Sequence, residues 1–353
     1  MIVSRHPEVD AVLAENPAVA IGVSGGKDSQ AAALATFRHL DDIGHSGPRV
    51  LIHSDLGSVE WNDSLRVCED LAGYLGCDLI IVRRKAGGLM ERWESRWLSS
   101  KTRYQSLSTV TLVLCWSTPG MRFCTSEQKT HPIVAELKRR FKGQRIVNVT
   151  GVRREESRNR ARMPIFDIDR TGQILNWRSI IDYSVDDVFM LIDASGLSPH
   201  PAYPKFGMSR VSCRFCIMSN FSDLTAASAQ LESHDLYQRM VQLEIDSSFA
   251  FQGARWLGDV APHLLSVDMR DALDLAKYRA VLRKEIESQI TKSMLYVSGW
   301  PTRMLSDGEA ELLASVRTKI SQLYHLDSQY LTVADIHSRY AELMAERARK
   351  QAA

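Results

Sequence analysis

The chain has no apolar run approaching the roughly 18 residues that a membrane-spanning helix needs, so no membrane segment is expected. Its first residues, MIVSRHPEVD, lack the apolar core of a secretory signal, and the compartment this implies is the cytoplasm. An excess of charge is also missing: a formal net charge of +2 identifies no partner by itself. There is no internal repeat and no low-complexity linker. Cysteine is sparse, with six in 353 residues. In a chain without an export signal these read as buried thiols, metal ligands or catalytic groups rather than disulfides. What is present, 44% hydrophobic and 24% charged residues, suits a globular protein with one sizeable α/β domain and a smaller companion.

The organising stretch is Ala18 to Ser29, AVAIGVSGGKDS, followed at once by QAAALATFRHL. Apolar residues ending in two glycines and then a helix-compatible run read as strand, tight turn, helix. Gly25 and Gly26 let the backbone turn sharply and approach a ligand, while the amides of the helix's first turn have no intrahelical partner. Such a turn can cradle phosphate. It is not a Walker loop, because Lys27 is followed by Asp28 where that pattern requires Ser or Thr. An ordinary glycine turn at a sheet edge is the plainer alternative.

Residues 1–17 read as a short helical lead-in. RVLIHSDL, Arg49 to Leu56, reads as a second parallel strand with Asp55 at its carboxyl end, either facing the crevice beside SGGKDS or capping a helix. A helix over Trp61 to Leu75 and a strand over Asp78 to Val82 follow, an alternation that implies crossover units and a parallel sheet. From Arg83 to Tyr104, basic residues interleave with Trp93, Trp97 and Tyr104. Nucleic-acid stacking is one reading, but Trp93 and Trp97 are four apart on one helical face, which favours inward packing.

Thr125 or Ser126 is expected to cap a helix running through Arg140. A fourth strand, Arg145 to Thr150, ends in GVRREESRNRAR, where Gly151 supplies a turn and Arg153, Arg154 and Arg158 can converge on phosphate. Positive charge is concentrated there, with ten basic residues between Lys138 and Arg162. Solvated surface arginines are the alternative. Ser184 to Asp187 forms a capping box that opens an apolar helix, and a Pro-rich loop, HPAYPKFGMSRVSCRFC, comes after it. The chain is then largely helical, with a soft boundary near residue 220: a domain over 1–220 and a mainly helical region over 221–353.

Four cysteines fall in two pairs, Cys115 with Cys124 and Cys213 with Cys216. A two-residue gap places two thiolates on one metal or cluster edge, and two such pairs can complete a four-thiolate site. The wider spacing of Cys115 and Cys124 suits a [4Fe-4S] cluster at least as well as zinc, and a redox disulfide at Cys213 and Cys216 is a third reading. Cys68 and Cys77 read as core thiols.

SGGKDS alone resembles the PP-loop of the ATP pyrophosphatase superfamily. Five segments in order, SGGKDS, HSDLG, RFCTSEQKTHPI, GVRREESRNRA and the stretch from NWRSIIDYSVDDVF to SCRFC, together resemble the phosphoadenosine phosphosulfate reductase family of adenine nucleotide α hydrolases. They cover residues 18–220. The resemblance implies a doubly wound parallel α/β sheet with ATP or an adenylated compound bound across it. In the cluster-bearing reductases of that family a cysteine precedes a basic residue and a proline, much as Cys124 precedes Lys129 and Pro132, and a Cys-x-x-Cys follows. Those enzymes also carry adjacent cysteines, whereas Cys124 is followed by Thr125, so Cys115 is the candidate fourth ligand. Their nucleophilic tail cysteine has no counterpart, since residues 217–353 contain none, and this disfavours sulfonucleotide reduction by that route.

The remaining resemblance is to ATP pyrophosphatases of sulfur transfer, particularly the phosphorothioation proteins of the Dnd and Ssp DNA-modification systems. It implies adenylation of an acceptor oxygen, on this reading a DNA phosphate, with release of pyrophosphate and then displacement of AMP by sulfur from a cysteine desulfurase. Other DNA-modification subunits are the implied partners. On this scheme Ser24, Gly25, Gly26 and Ser29 hold pyrophosphate, Lys27 neutralises charge and Asp28 orients Mg²⁺, directly or through water. Arg153 and Arg154 steady a phosphate, Gly151 lies beside them, and Asp55 lines the nucleotide crevice. A sulfonucleotide reductase and a tRNA thiolase are the alternatives.

Overall fold

Apolar residues on both sides of a strand require cover on both sides, and β1 (Ala18–Val23) is apolar throughout. Val19, Ile21 and Val23 pack with Ala31 to Ala35 and Leu40 of the helix Lys27–Asp42, with Leu71 of Asn62–Leu75 and with Val188 and Ile192 of Val185–Ala194. Ala18 and Ala20 face the other way, onto Leu137 of the helix His131–Arg140 and Phe141 just beyond it. The computed structural model describes residues 2–352, and the strands that follow are β2 (Arg49–Asp55), β3 (Asp78–Arg83), β4 (Ile146–Thr150), β5 (Phe166–Ile168) and β6 (Ile174–Trp177).

They form one six-stranded sheet in the order β3-β2-β1-β4-β6-β5, parallel except for β5, which pairs antiparallel with β6. The chain winds outward from β1 to β2 and β3, then crosses back to lay β4 on the other side of β1. The sheet is thus doubly wound, and the carboxyl ends of β1 and β4 flank the point where winding reverses, the place at which such folds bind ligands.

Two local details differ from the sequence reading. The β5–β6 hairpin was not anticipated. Its strands are short, and the connection is organised by Asp169, whose Oδ1 accepts the Gln173 and Ile174 N–H groups, both at 3.0 Å. Thr125 and Ser126 do not cap a helix with their side chains: the chain is already helical at Phe123–Thr125 and passes through a π-turn, Ser126–Thr130, into His131–Arg140. The capping box at Ser184 and Asp187 is present.

The chain divides into two compact units, Met1–Met90 with Pro119–Leu236, and Glu91–Thr118 with Tyr237–Ala353. The first contains the whole sheet. The second is helical and includes Val267–Glu287, Asp307–Tyr324 and Val333–Ala352. One of its cores joins Leu107 and Val110 to Leu313, Ile336 and Tyr340. Elsewhere in it Trp93 and Trp116 pack edge-on to each other and to Phe251, and Glu244, wholly buried, accepts the Phe251, Leu257 and Gly258 amides. Among the described residues no helix is long and apolar enough to cross a membrane.

Candidate functional site

The turn after β1 is built to leave amides free. Gly25 has φ +74°, and a side chain there would also approach the Ser64 carbonyl oxygen to 2.9 Å. Gly26 is the N-cap of the helix Lys27–Asp42 and brings no side-chain acceptor; the Lys27 N–H goes to Tyr203 Oη at 3.1 Å, and the Asp28 and Ser29 N–H groups are left for another partner. Ser29 braces the turn, its Oγ accepting the Ser24 N–H at 3.2 Å and donating to the Gly26 carbonyl at 2.8 Å.

The end of β4 closes on this turn. A Cβ at Gly151 would lie 2.5 Å from the Asp28 carbonyl oxygen, so only glycine fits. Arg153, two residues on and 4% exposed, donates from Nε to Asp28 Oδ1 at 2.6 Å and from Nη1 to the Tyr183 carbonyl at 3.2 Å, and also pairs with Glu155. Lys27, 5% exposed, holds the other Asp28 oxygen through Nζ at 2.9 Å. Two cations therefore flank the Asp28 carboxylate, and with Glu155 on Arg153 the side-chain charges balance, so the preference for an anion comes from the amides of the helix's first turn.

The structure brings Ser24, Gly25, Gly26, Lys27, Asp28, Ser29, Gly151 and Arg153 together. Arg154 is turned aside, ion-paired with Asp182, and Arg158 makes no ion pair among the described residues. Asp55 ends β2, next to β1, but its carboxylate accepts the Gly57 N–H at 2.7 Å and lies 3.6 Å from Arg83. It serves its own turn.

Two buried histidines near the cradle have no role assigned by the sequence motifs, and their partners make one a cation and leave the other neutral. His53 lies with Nδ1 3.1 Å from the Val23 carbonyl and Nε2 3.2 Å from Glu60. Both neighbours are acceptors, so both ring nitrogens carry protons. Burial pulls its pKa down, yet hydrogen bonds to Cys68 and Glu60 outweigh that and lift it to about 10. His200 instead accepts the Ala202 N–H on Nδ1 at 3.0 Å, and burial takes its pKa down to about 4. It is neutral. The signal for His53 lies inside HSDLG, two residues before Asp55.

All six cysteines are free thiols. Burial pushes the Cys213 thiol far up, and the charges that act on it are those of Cys216, Lys129, Glu60 and Cys124. Arg214, buried between the members of the Cys-x-x-Cys, fastens that loop. Its Nε donates to the Glu60 carbonyl at 2.7 Å, its Nη2 to Asn62 Oδ1 at 2.8 Å, and its Nη1 to the Glu232 carbonyl. Cys115 belongs to the second unit, fully buried, with its Sγ 3.7 Å from Ser247 Oγ and its pKa pushed up to about 12 by burial. A thiol so enclosed holds its proton and packs as a small apolar side chain.

Among the described residues no group of three or more His, Cys, Asp and Glu side chains is arranged to hold a metal ion. With Cys115 enclosed as described, the residues do not fit a four-thiolate cluster or zinc site. At Asp28 both carboxylate oxygens are engaged by cations, which does not fit direct coordination of Mg²⁺.

An uncharacterized 37.8 kDa protein of Escherichia phage 186 is 27% identical over 249 residues, covering 62% of this chain and 72% of that protein. Among solved structures, phosphoadenylyl-sulfate reductase of Candida auris in its phosphate complex is similar at 14% identity and TM-score 0.37, covering 60% of this chain and 98% of that one. The U34-tRNA thiolase NcsA of Methanococcus maripaludis with its [4Fe-4S] cluster is similar at 14% identity and TM-score 0.40, covering 67% and 76%. The model of the phosphoadenosine phosphosulfate reductase domain matches residues 18–219, more than half of the chain and the whole of the cradle, β4 and cysteine-loop region, and the chain belongs to that family.

Proposed function

We propose that this chain is an ATP pyrophosphatase that adenylates an acceptor oxygen for sulfur transfer, with a DNA backbone phosphate as the acceptor. The observation that carries the reading is Asp28 held between Lys27 and Arg153 at a helix N-terminus whose glycine N-cap leaves the Asp28 and Ser29 amides without a partner among the described residues. A polyphosphate fits such a place, and donors aimed at a leaving pyrophosphate stabilise the charge it gains as it departs. The acceptor oxygen attacks the α phosphorus, the bond between that phosphorus and the α–β bridging oxygen breaks, and pyrophosphate leaves. The Gly25 and Gly26 amides with the Ser24 hydroxyl and the Ser29 backbone N–H hold the pyrophosphate. Lys27 offsets its charge, and Arg153 keeps Asp28 and the end of β4 in place. The outer sulfur of the desulfurase persulfide then attacks the acceptor phosphorus, AMP leaves with the bridging oxygen far more readily than an oxide would, and a second thiol cleaves the remaining S–S bond, forming a disulfide with the donor cysteine.

The test is pyrophosphate release by the purified chain with ATP, Mg²⁺, DNA and a persulfide-loaded cysteine desulfurase, against an Asp28→Ala control. Release no greater than the control sinks the proposal. Mass spectrometry of nuclease-digested DNA and tRNA from cells with and without the gene identifies the acceptor: sulfur in tRNA alone would replace DNA by RNA. Sulfite release from an adenylated sulfate with thioredoxin, without pyrophosphate release from ATP, would favour a reductase instead.

A further inference from the structure

The Pro-rich stretch from Pro199 to Val211 had no role in the site as read from the sequence. In the structure its Tyr203 reaches the cradle. Tyr203 Oη accepts the Lys27 backbone N–H at 3.1 Å and the Val211 backbone N–H at 3.3 Å. These two donors occupy the acceptor capacity of the phenol, and what remains is its own O–H, which meets no acceptor among the described residues. The ring is fixed in place: Phe189 meets it edge-on at 5.6 Å, and Lys27 Nζ lies 5.6 Å from its centroid. A Cβ on Gly26 would stand 3.7 Å from Oη and 3.4 Å from the Val211 carbonyl, so the stretch lies directly against the glycine turn. Burial raises the pKa of Tyr203 above the ordinary phenol value, and the group remains a neutral donor.

Resting on the reading of the Gly25-to-Ser29 turn as an anion site, we infer that Tyr203 is a further ligand-binding residue. Its hydroxyl proton donates to a phosphoryl oxygen of the anion held there, and the same oxygen keeps the backbone at Val211, two residues before Cys213, in register with the cradle. Neither the five motifs nor the spacing of the cysteines assigns it this part. One atom joins the phosphate turn to the thiol loop.

The experiment is calorimetric titration of the full chain with inorganic pyrophosphate in the presence of Mg²⁺, for the wild type and for Tyr203→Phe, which keeps the ring and removes the hydroxyl. Circular dichroism checks that both are folded. The expected result is binding weakened about tenfold in Y203F, the size of one hydrogen bond to a charged group. Unchanged affinity overturns the inference, and so does tighter binding, which would make the phenol a plug that the anion displaces. A folded wild type that binds no pyrophosphate removes the anion site itself, whereas binding that Y203F leaves intact removes only the role of Tyr203. Should Y203F prove unfolded, Tyr203→Trp, which also lacks the hydroxyl, is titrated in its place and read by the same criteria.

Discussion

Arg153 Nε stands 2.6 Å from Asp28 Oδ1, an ion pair that ties the residue run after β4 to the first turn after β1 across the reversal point of the sheet. The guanidinium is 4% exposed, so removing its partner leaves a charge away from water. Glu155 and the Tyr183 carbonyl still hold it in part. Asp28→Ala should lower the unfolding free energy by about 2–3 kcal/mol, somewhat less than the loss of an isolated buried pair. Urea denaturation measures this, and a change under about 0.5 kcal/mol, the ordinary surface value, would show the pair to be of little structural consequence.

Gly151→Ala is expected to be worse for the site than for the core. The new methyl would meet the Asp28 main chain at 2.5 Å, and backbone cannot swing away as a side chain can. A stability loss of about 1–3 kcal/mol follows from overpacking, and pyrophosphate release should fall at least as far as in the Asp28 control. Full activity in Gly151→Ala would mean that the two segments separate freely.

His53 makes stability depend on alkaline pH. Its folded pKa, about 10, lies above the ordinary 6.5, so the native state holds the proton more tightly than the unfolded chain. Its contribution is complete below about pH 6.5 and is lost as pH rises through about 10. Thermal unfolding between those limits should show a falling midpoint in the wild type and a flatter profile in His53→Gln. Parallel profiles would contradict a charged imidazole.

Glu244 acts in a lower window with the same sign. Burial raises its pKa from 4.5 to about 7 despite three amide donors, so its contribution is complete below about pH 4.5 and is lost as pH rises through about 7. Gln at this position removes that dependence but supplies only one acceptor oxygen for donors that now share two. Glu244→Gln should cost about 1–3 kcal/mol at pH 5 and less at pH 8, read from paired urea melts. A uniform loss at both values would assign the effect to packing alone.

The elements around the cradle were legible because each rests on local chemistry: apolar runs, a glycine pair and a capping box. The four-residue spacing of Trp93 and Trp97 puts both on one inward helical face, and both are buried. The β5–β6 hairpin was not legible, since three- and four-residue strands carry little periodicity. Tyr203 and Arg214 were hidden for another reason. Their roles depend on contacts 176 and 154 residues away in the chain, which no local pattern encodes. Cys115 shows the converse, a suggestive spacing whose meaning is decided by what surrounds the thiol.

The second unit draws on two separated stretches, Glu91–Thr118 and Tyr237–Ala353. On the ribosome, Trp93, Trp97 and Trp116 are therefore made well before Phe249, Phe251 and Tyr324, the aromatic rings that they pack against. During synthesis this stretch must wait, its indoles uncovered, while the rest of the sheet is translated around it. Order of manufacture thus sets a hazard that the finished fold conceals, and a nascent chain stalled before Phe249 would present those tryptophans to chaperones or to its neighbours.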